Sequence, residues 1–126
     1  MALKLKLRPH ERVIIAGASV VNGAGVSTLV IENKVPVLRE KDILKQDDAV
    51  TPARRIYFAV QLMYLDGENL ADHHRLYWDL VNGFLKAAPS ALGIVGAMSE
   101  EILAGRYYNA LKLARRLIVH ERRIMA

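Results

Sequence analysis

Apolar and polar residues follow two different rhythms along this chain, and the change falls near residue 45. From Leu3 to Leu7 leucines alternate with Lys4 and Lys6, and Arg8 continues the series. A period of two predicts a strand with leucines on one face and cations on the other. Arg8-Pro9-His10-Glu11 predicts a turn, and Arg12 to Ala16, rich in β-branched residues and closed by Gly17, predicts a second strand. Ser19-Val20-Val21 and the run from Val26 to Glu32 flank Asn22-Gly23-Ala24-Gly25. Asn and Gly tolerate positive φ, so this spacing predicts a hairpin between those two strands. Val35-Pro36-Val37-Leu38-Arg39 predicts an edge strand or a strand start, because Pro36 has no N–H to give a ladder. Residues 40–48 are charged and predict a short helical turn with a linker.

Beyond residue 50 the period is helical. Thr51-Pro52 pairs an N-cap with proline at the first helical position, and Ile56, Val60 and Met63 follow at i, i+4 and i+7, so a helix is expected to about Leu65. Asp66-Gly67-Glu68-Asn69 interrupts it. Leu70, His73, Tyr77, Leu80 and Phe84 mark one face of a second helix that ends before Pro89. Residues 89–98 are small and apolar and are expected to form a packed connector with one short helical turn. Ser99, followed by Glu100 and Glu101, has the signature of a cap and predicts the start of a third helix. Its apolar face would be Leu103, Tyr107, Ala110, Ala114, Leu117 and Ile118, with Lys112, Arg116 and Arg123 on another face beside Arg115 and Arg122. The resulting expectation is an α+β chain: a small antiparallel β subdomain over residues 1–45, then a helical subdomain of about three helices over residues 50–126 packed on it.

Charge sharpens this division. The 126 residues carry a formal net charge of +5, distributed as +4 over residues 1–45, −4 over 46–105 and +5 over 106–126. Two basic ends flank an acidic middle, a pattern compatible with a polyanionic partner. The composition, 52% hydrophobic and 25% charged, is that of a globular chain and excludes disorder and collagen-like repeats. No cysteine is present, so disulfides, thiolate nucleophiles and cysteine-based zinc sites are excluded. Charges interrupt every apolar run before the roughly 20 residues of a membrane span, which points to a cytoplasmic protein without a membrane partner.

Signals for catalysis or cofactor binding are poor. His73 and His74 are adjacent, and neighbours on a helix point about 100° apart, unlike an i, i+4 metal pair. Gly23-Ala24-Gly25 lacks the third glycine of a dinucleotide loop and the Lys-Ser/Thr of a phosphate loop. Asp47-Asp48 and Glu100-Glu101 suit a linker and a helix start. The expectation is a non-enzyme with no cofactor and no metal; a pocket uniting His73 with Asp79 would argue otherwise. The basic residues are more informative. Lys4, Lys6 and Arg8 lie on one strand face, and Arg39 and Lys41 flank the end of the last strand, so neighbouring strands would create a phosphate-sized positive stripe. A solvated edge that discourages aggregation explains the same charges. All five tyrosines lie in helical segments, which argues for packing roles over a sheet-borne stacking platform.

Three segments carry a resemblance. Met1 to Ile15, Val37 to Ile43, and above all Thr51-Pro-Ala-Arg-Arg-Ile-Tyr-Phe-Ala-Val-Gln-Leu-Met-Tyr-Leu65 resemble the FlbT family of flagellin regulators. That resemblance implies a post-transcriptional regulator of flagellum assembly that associates with the 5′ untranslated region of flagellin mRNA and promotes its decay, working opposite a second small flagellar protein, FlaF. Some members of that family activate. Arg8 to Gly17 and Val35 to Glu40 also resemble the first turn and last strand of the carbon storage regulator family. Those are small β proteins whose intertwined homodimers set the first strand of one subunit beside the last strand of the other to grip RNA. By position, this second resemblance implies RNA contacts at Lys4, Lys6 and Arg8 on the first strand and at Val37, Leu38 and Arg39 on the last, with Lys41 beyond it. The hairpin around Asn22 is shorter than in that family, and some 75 helical residues follow where it has one short helix. A competing expectation is a protein-interaction module that binds FlaF or a chaperone through the acidic middle or the helical face around Tyr57 and Tyr64.

Overall fold

A computed structural model describes residues 2–125. The chain divides into two compact units, Met1–Ile43 and Leu44–Ala126.

The first unit holds five strands: β1 (Leu3–Leu7), β2 (Arg12–Ile15), β3 (Ala18–Val21), β4 (Ser27–Ile31) and β5 (Val37–Arg39). They form two antiparallel sheets, β1 with β4, and β3, β2 and β5 in that order. Leu5 pairs with Leu29 and Leu3 with Ile31, which sends Lys4 and Lys6 to the opposite face, where their partners are Val30 and Thr28. Leu5, Leu7 and Val13 are buried, with Ile15, Val20, Leu29, Ile31 and Val37 packed against them. The alternation in β1 therefore does what its period predicts. β5 begins directly after Pro36, as expected of a residue that cannot donate, while the Pro36 carbonyl accepts from the Ala16 amide at 2.9 Å.

The expected hairpin between β3 and β4 is not formed. The hairpin is β2–β3, with Ile15 opposite Ala18 and a two-residue loop at Ala16 and Gly17, both at positive φ (51° and 85°). That is the backbone of the turn type whose twist suits adjoining strands. Asn22 instead builds a corner: its side-chain amide donates to the carbonyls of Arg8 and Gly25, each at 2.8 Å, and its backbone amide donates to the Glu11 carbonyl at 2.8 Å. The corner frees β4 to pair with β1.

The second unit has four helices, one more than expected: α1 (Pro52–Leu65), α2 (Leu70–Ala87), α3 (Leu92–Leu103) and α4 (Tyr107–Met125). α4 packs against α1 and α3, and α1 against α2. Residues 89–98 are not a connector; a 3-10 turn at Pro89–Ala91 runs into α3. Ala91, Val95, Met98 and Ile102, spaced by four, three and four, are its buried stripe. Ser99 is consequently mid-helix, and its hydroxyl meets the Tyr77 hydroxyl at 2.8 Å instead of capping. The expected third helix is broken at Gly105, whose φ of 75° ends α3. The Gly105 amide donates to Ile102 and the Arg106 amide to Glu101, the paired bonds of a left-handed glycine stop.

The start of α1 is capped twice. Thr51 Oγ1 accepts from the Arg54 amide at 3.2 Å, as its position predicts, and Glu121 of α4 accepts from the Ala53 amide at 2.8 Å. Glu121 is buried. Its negative charge sits where the free amides and dipole of α1 are positive. Glu121→Ala leaves a buried donor unsatisfied and is expected to lower stability by about 1–3 kcal/mol. Urea denaturation checks this, with Glu121→Gln, which keeps an acceptor, recovering part of the loss. Gln61, also buried, grips Leu44 at both backbone groups, accepting from its amide at 2.8 Å and donating to its carbonyl at 2.9 Å.

Candidate nucleic-acid interface

The basic residues of the first unit separate into two kinds. Lys4 and Lys6 are exposed on the outward face of β1, and Arg8, at the entry to the following turn, has three quarters of its side chain exposed. They form a continuous cationic row because the inward positions are taken by Leu5 and Leu7. Lys41 is exposed in the 3-10 turn after β5.

Arg39 is different. Its Nη2 donates to the Lys6 carbonyl at 2.6 Å and to both carboxylate oxygens of Glu11 at 3.0 and 3.2 Å, and its Nε donates to Glu11 at 3.3 Å. Glu11 is only 4% exposed and also accepts from the Arg8 amide at 2.9 Å. That amide bond, then the Arg39 hydrogen bonds, and then the charges of Arg39 and Arg8 hold its carboxyl below the ordinary glutamate value, against an opposing contribution from burial. Arg39 thus ties β5 to the carbonyl edge of β1. The resemblance to the carbon storage regulators sets the first strand of one subunit beside the last strand of another; within this chain β1 pairs with β4 and β5 with β2, and the Arg39 side chain alone reaches from β5 to the Lys6 carbonyl.

Of the remaining positions, the Leu38 side chain is fully buried, and Val37, its neighbour in β5, is half-buried against Leu5, Leu7 and Val13. Glu11, the centre of this arrangement, is invisible to pattern reading, which sees a polar residue in a turn. The available signal is the pair Arg8 and Glu11, three residues apart around Pro9.

The other candidate chemistry disperses. His73 Nε2 lies 3.0 Å from Asp66 Oδ2, whereas His74 Nε2 lies 3.1 Å from the Tyr107 hydroxyl. The Asn69 amide and His73 keep the Asp66 carboxyl below the ordinary aspartate value. Asp79 lines a cavity of about 500 Å3 with Arg55, Leu80 and Phe84, away from His73. Among the described residues no cluster of His, Asp or Glu could hold a metal, and no helix is long and apolar enough to cross a membrane. Tyr57 is buried, and Tyr64 packs its ring 5.5 Å from that of Tyr108.

The family profile described as "Flagellar protein FlbT" matches residues 3–125. The chain belongs to the FlbT family. It is 43% identical over 123 residues to "Probable flagellum biosynthesis repressor protein FlbT" of Caulobacter sp. (strain K31), covering 96% of this chain and 94% of that one. It is 42% identical to "Flagellum biosynthesis repressor protein FlbT" of Caulobacter vibrioides (strain ATCC 19089), covering 96% and 87%. A third FlbT relative, "Probable flagellum biosynthesis repressor protein FlbT 1" of Bradyrhizobium diazoefficiens, is 42% identical over 98% of this chain and 85% of its own length. No solved structure matches. The FlbT match covers both units, the β strands and the four helices.

Proposed function

We propose that this FlbT family member is a cytoplasmic, non-enzymatic repressor of flagellum biosynthesis that binds the 5′ untranslated region of flagellin mRNA and promotes its decay. The repressor role is the one named for its relatives. The single observation that carries the RNA reading is the exposed row Lys4, Lys6 and Arg8, with the Arg39 side chain of β5 bonded to the Lys6 carbonyl. Lys and Arg on a firm strand present charge at fixed spacing to phosphates, and Lys41 after β5 is a further exposed cation in this reading. Arg39 acts as a positioning residue in this reading. A protein partner such as FlaF ranks second: of the two surfaces it would use, the helical face around Tyr57 and Tyr64 is engaged in packing, which leaves it the acidic middle, residues 46–105.

The test is a mobility-shift titration of a flagellin leader transcript at several salt concentrations. Lys4→Ala/Lys6→Ala/Arg8→Ala is expected to remove three phosphate contacts, making the log–log salt slope shallower by about 2. Thermal melting should stay close to that of the parent, because all three side chains are exposed. A triple variant that binds with the parent's affinity and slope would dispose of the RNA reading at this face.

A further inference from the structure

The basic stretch 106–126, with a net charge of +5, lies outside the β unit. α4 carries one carboxylate, Glu121, which is buried and spent on capping α1. Lys112, Arg116, Arg122 and Arg123 are all exposed. Among the described residues none of the four forms an ion pair, whereas Arg75 and Arg106 are paired with Asp72 and Glu101. At 100° per residue the four cations fall within an arc of about 120°, spread over about 16 Å of helix. The opposite arc is the buried one, formed by Ala110, Ala114 and Leu117. Tyr108 opens the same exposed face, 41% accessible, with Lys112 Nζ 5.0 Å from its ring centroid.

We infer that this face of α4 is a second contact surface for single-stranded RNA, gripping the phosphate backbone. The inference rests on the RNA-binding reading proposed above and adds a surface to it. Chemistry favours RNA over an acidic protein. Protein interfaces concentrate apolar side chains and exclude charge at their centres, and the middle of this face holds Val119 alone among cations. Interfaces with nucleic acid are polar and strongly positive. Three of the four cations are arginines, whose planar forks match phosphate.

The experiment uses the full chain with Lys112, Arg116, Arg122 and Arg123 all replaced by alanine, titrated with the leader transcript and with an oligouridylate of equal length. The variant is expected to show a salt slope shallower by about 3 on both, so that the parent loses roughly 50-fold more affinity than the variant between about 50 and 200 mM salt. Circular dichroism should report unchanged helix content, and the Arg116→Lys/Arg123→Lys variant should keep the parent's slope. If the parent binds and the alanine variant retains its slope, this inference falls while the β1 reading stands. If the variant keeps its RNA slope but loses retention on immobilised polyglutamate, the face belongs to an acidic protein and the inference is overturned. If the parent binds neither RNA, the underlying reading fails and takes this one with it.

Discussion

Tyr77→Ala is expected to cost the helical unit about 3–5 kcal/mol, the range for truncating a buried aromatic side chain. Tyr77 has no accessible surface and meets the Trp78 ring edge-on at 5.0 Å. Its hydroxyl reaches Ser99 Oγ at 2.8 Å and so joins α2 to α3. The truncation loses ring burial and leaves a cavity between helices that cannot close without shifting both. Tyr77→Phe separates the two contributions. It keeps the ring and removes one hydrogen bond, so about 1 kcal/mol is expected. Tyr77→Phe/Ser99→Ala removes both partners and should cost less than the sum of the single changes. Urea unfolding measures all four, and an alanine variant within 1 kcal/mol of the parent would contradict the packing. Burial also raises the phenol above its ordinary value of 10.0. The folded unit therefore ionises after the unfolded chain, so this contribution is complete below pH 10 and falls as pH rises beyond it.

The sequence made the start of α1 legible because Thr51 and Pro52 are chemically unambiguous there, and it made β1 legible because a period of two assigns faces. It left pairing open. Asn22-Gly23 announces a turn, but the bonds of Asn22 to Arg8 and Gly25 decide that the turn is a corner between sheets. α3 was hidden because Gly93, Gly96 and Ala97 dilute the apolar stripe that Val95, Met98 and Ile102 complete. A capping signature is equally local: Ser99 before two glutamates looks like a helix start until Tyr77, 22 residues earlier, claims its hydroxyl. For the candidate site, the cations of β1 follow from alternation, whereas the commitment of Arg39 to Glu11 spans 28 residues and arises only from strand order. Position alone made Arg39 a ligand for RNA. Geometry makes it the clasp that sets two strand edges together.

Arg39→Ala is accordingly expected to destabilise the β unit while leaving the salt slope of RNA binding nearly unchanged. A phosphate-binding arginine would reduce that slope by about 0.7 when removed. A clasp leaves it alone, because Lys4, Lys6 and Arg8 keep their charges. Removing the guanidinium takes the closest cation from the Glu11 carboxylate, which is almost fully covered and retains the Arg8 amide and, at 3.6 Å, the exposed Arg8 side chain. Glu11→Gln should soften the penalty: in that background Arg39→Ala no longer uncovers a charge, so the double-mutant cycle is expected to show a positive coupling between the two positions. The pH dependence gives an independent reading. Glu11 is held below its ordinary value of 4.5. The unfolded chain therefore takes up this proton first as pH falls, and the stabilisation, complete above about pH 4.5, is lost as pH drops through the folded value. Melting curves between pH 3 and 7 should show that acid loss in the parent and a flatter profile in Glu11→Gln. An Arg39→Ala variant with the parent's melting curve and a slope reduced by about 0.7 would return Arg39 to the RNA contacts. The expected pattern instead makes the cationic row of β1 dependent on Arg39 for its position and independent of it for its charge.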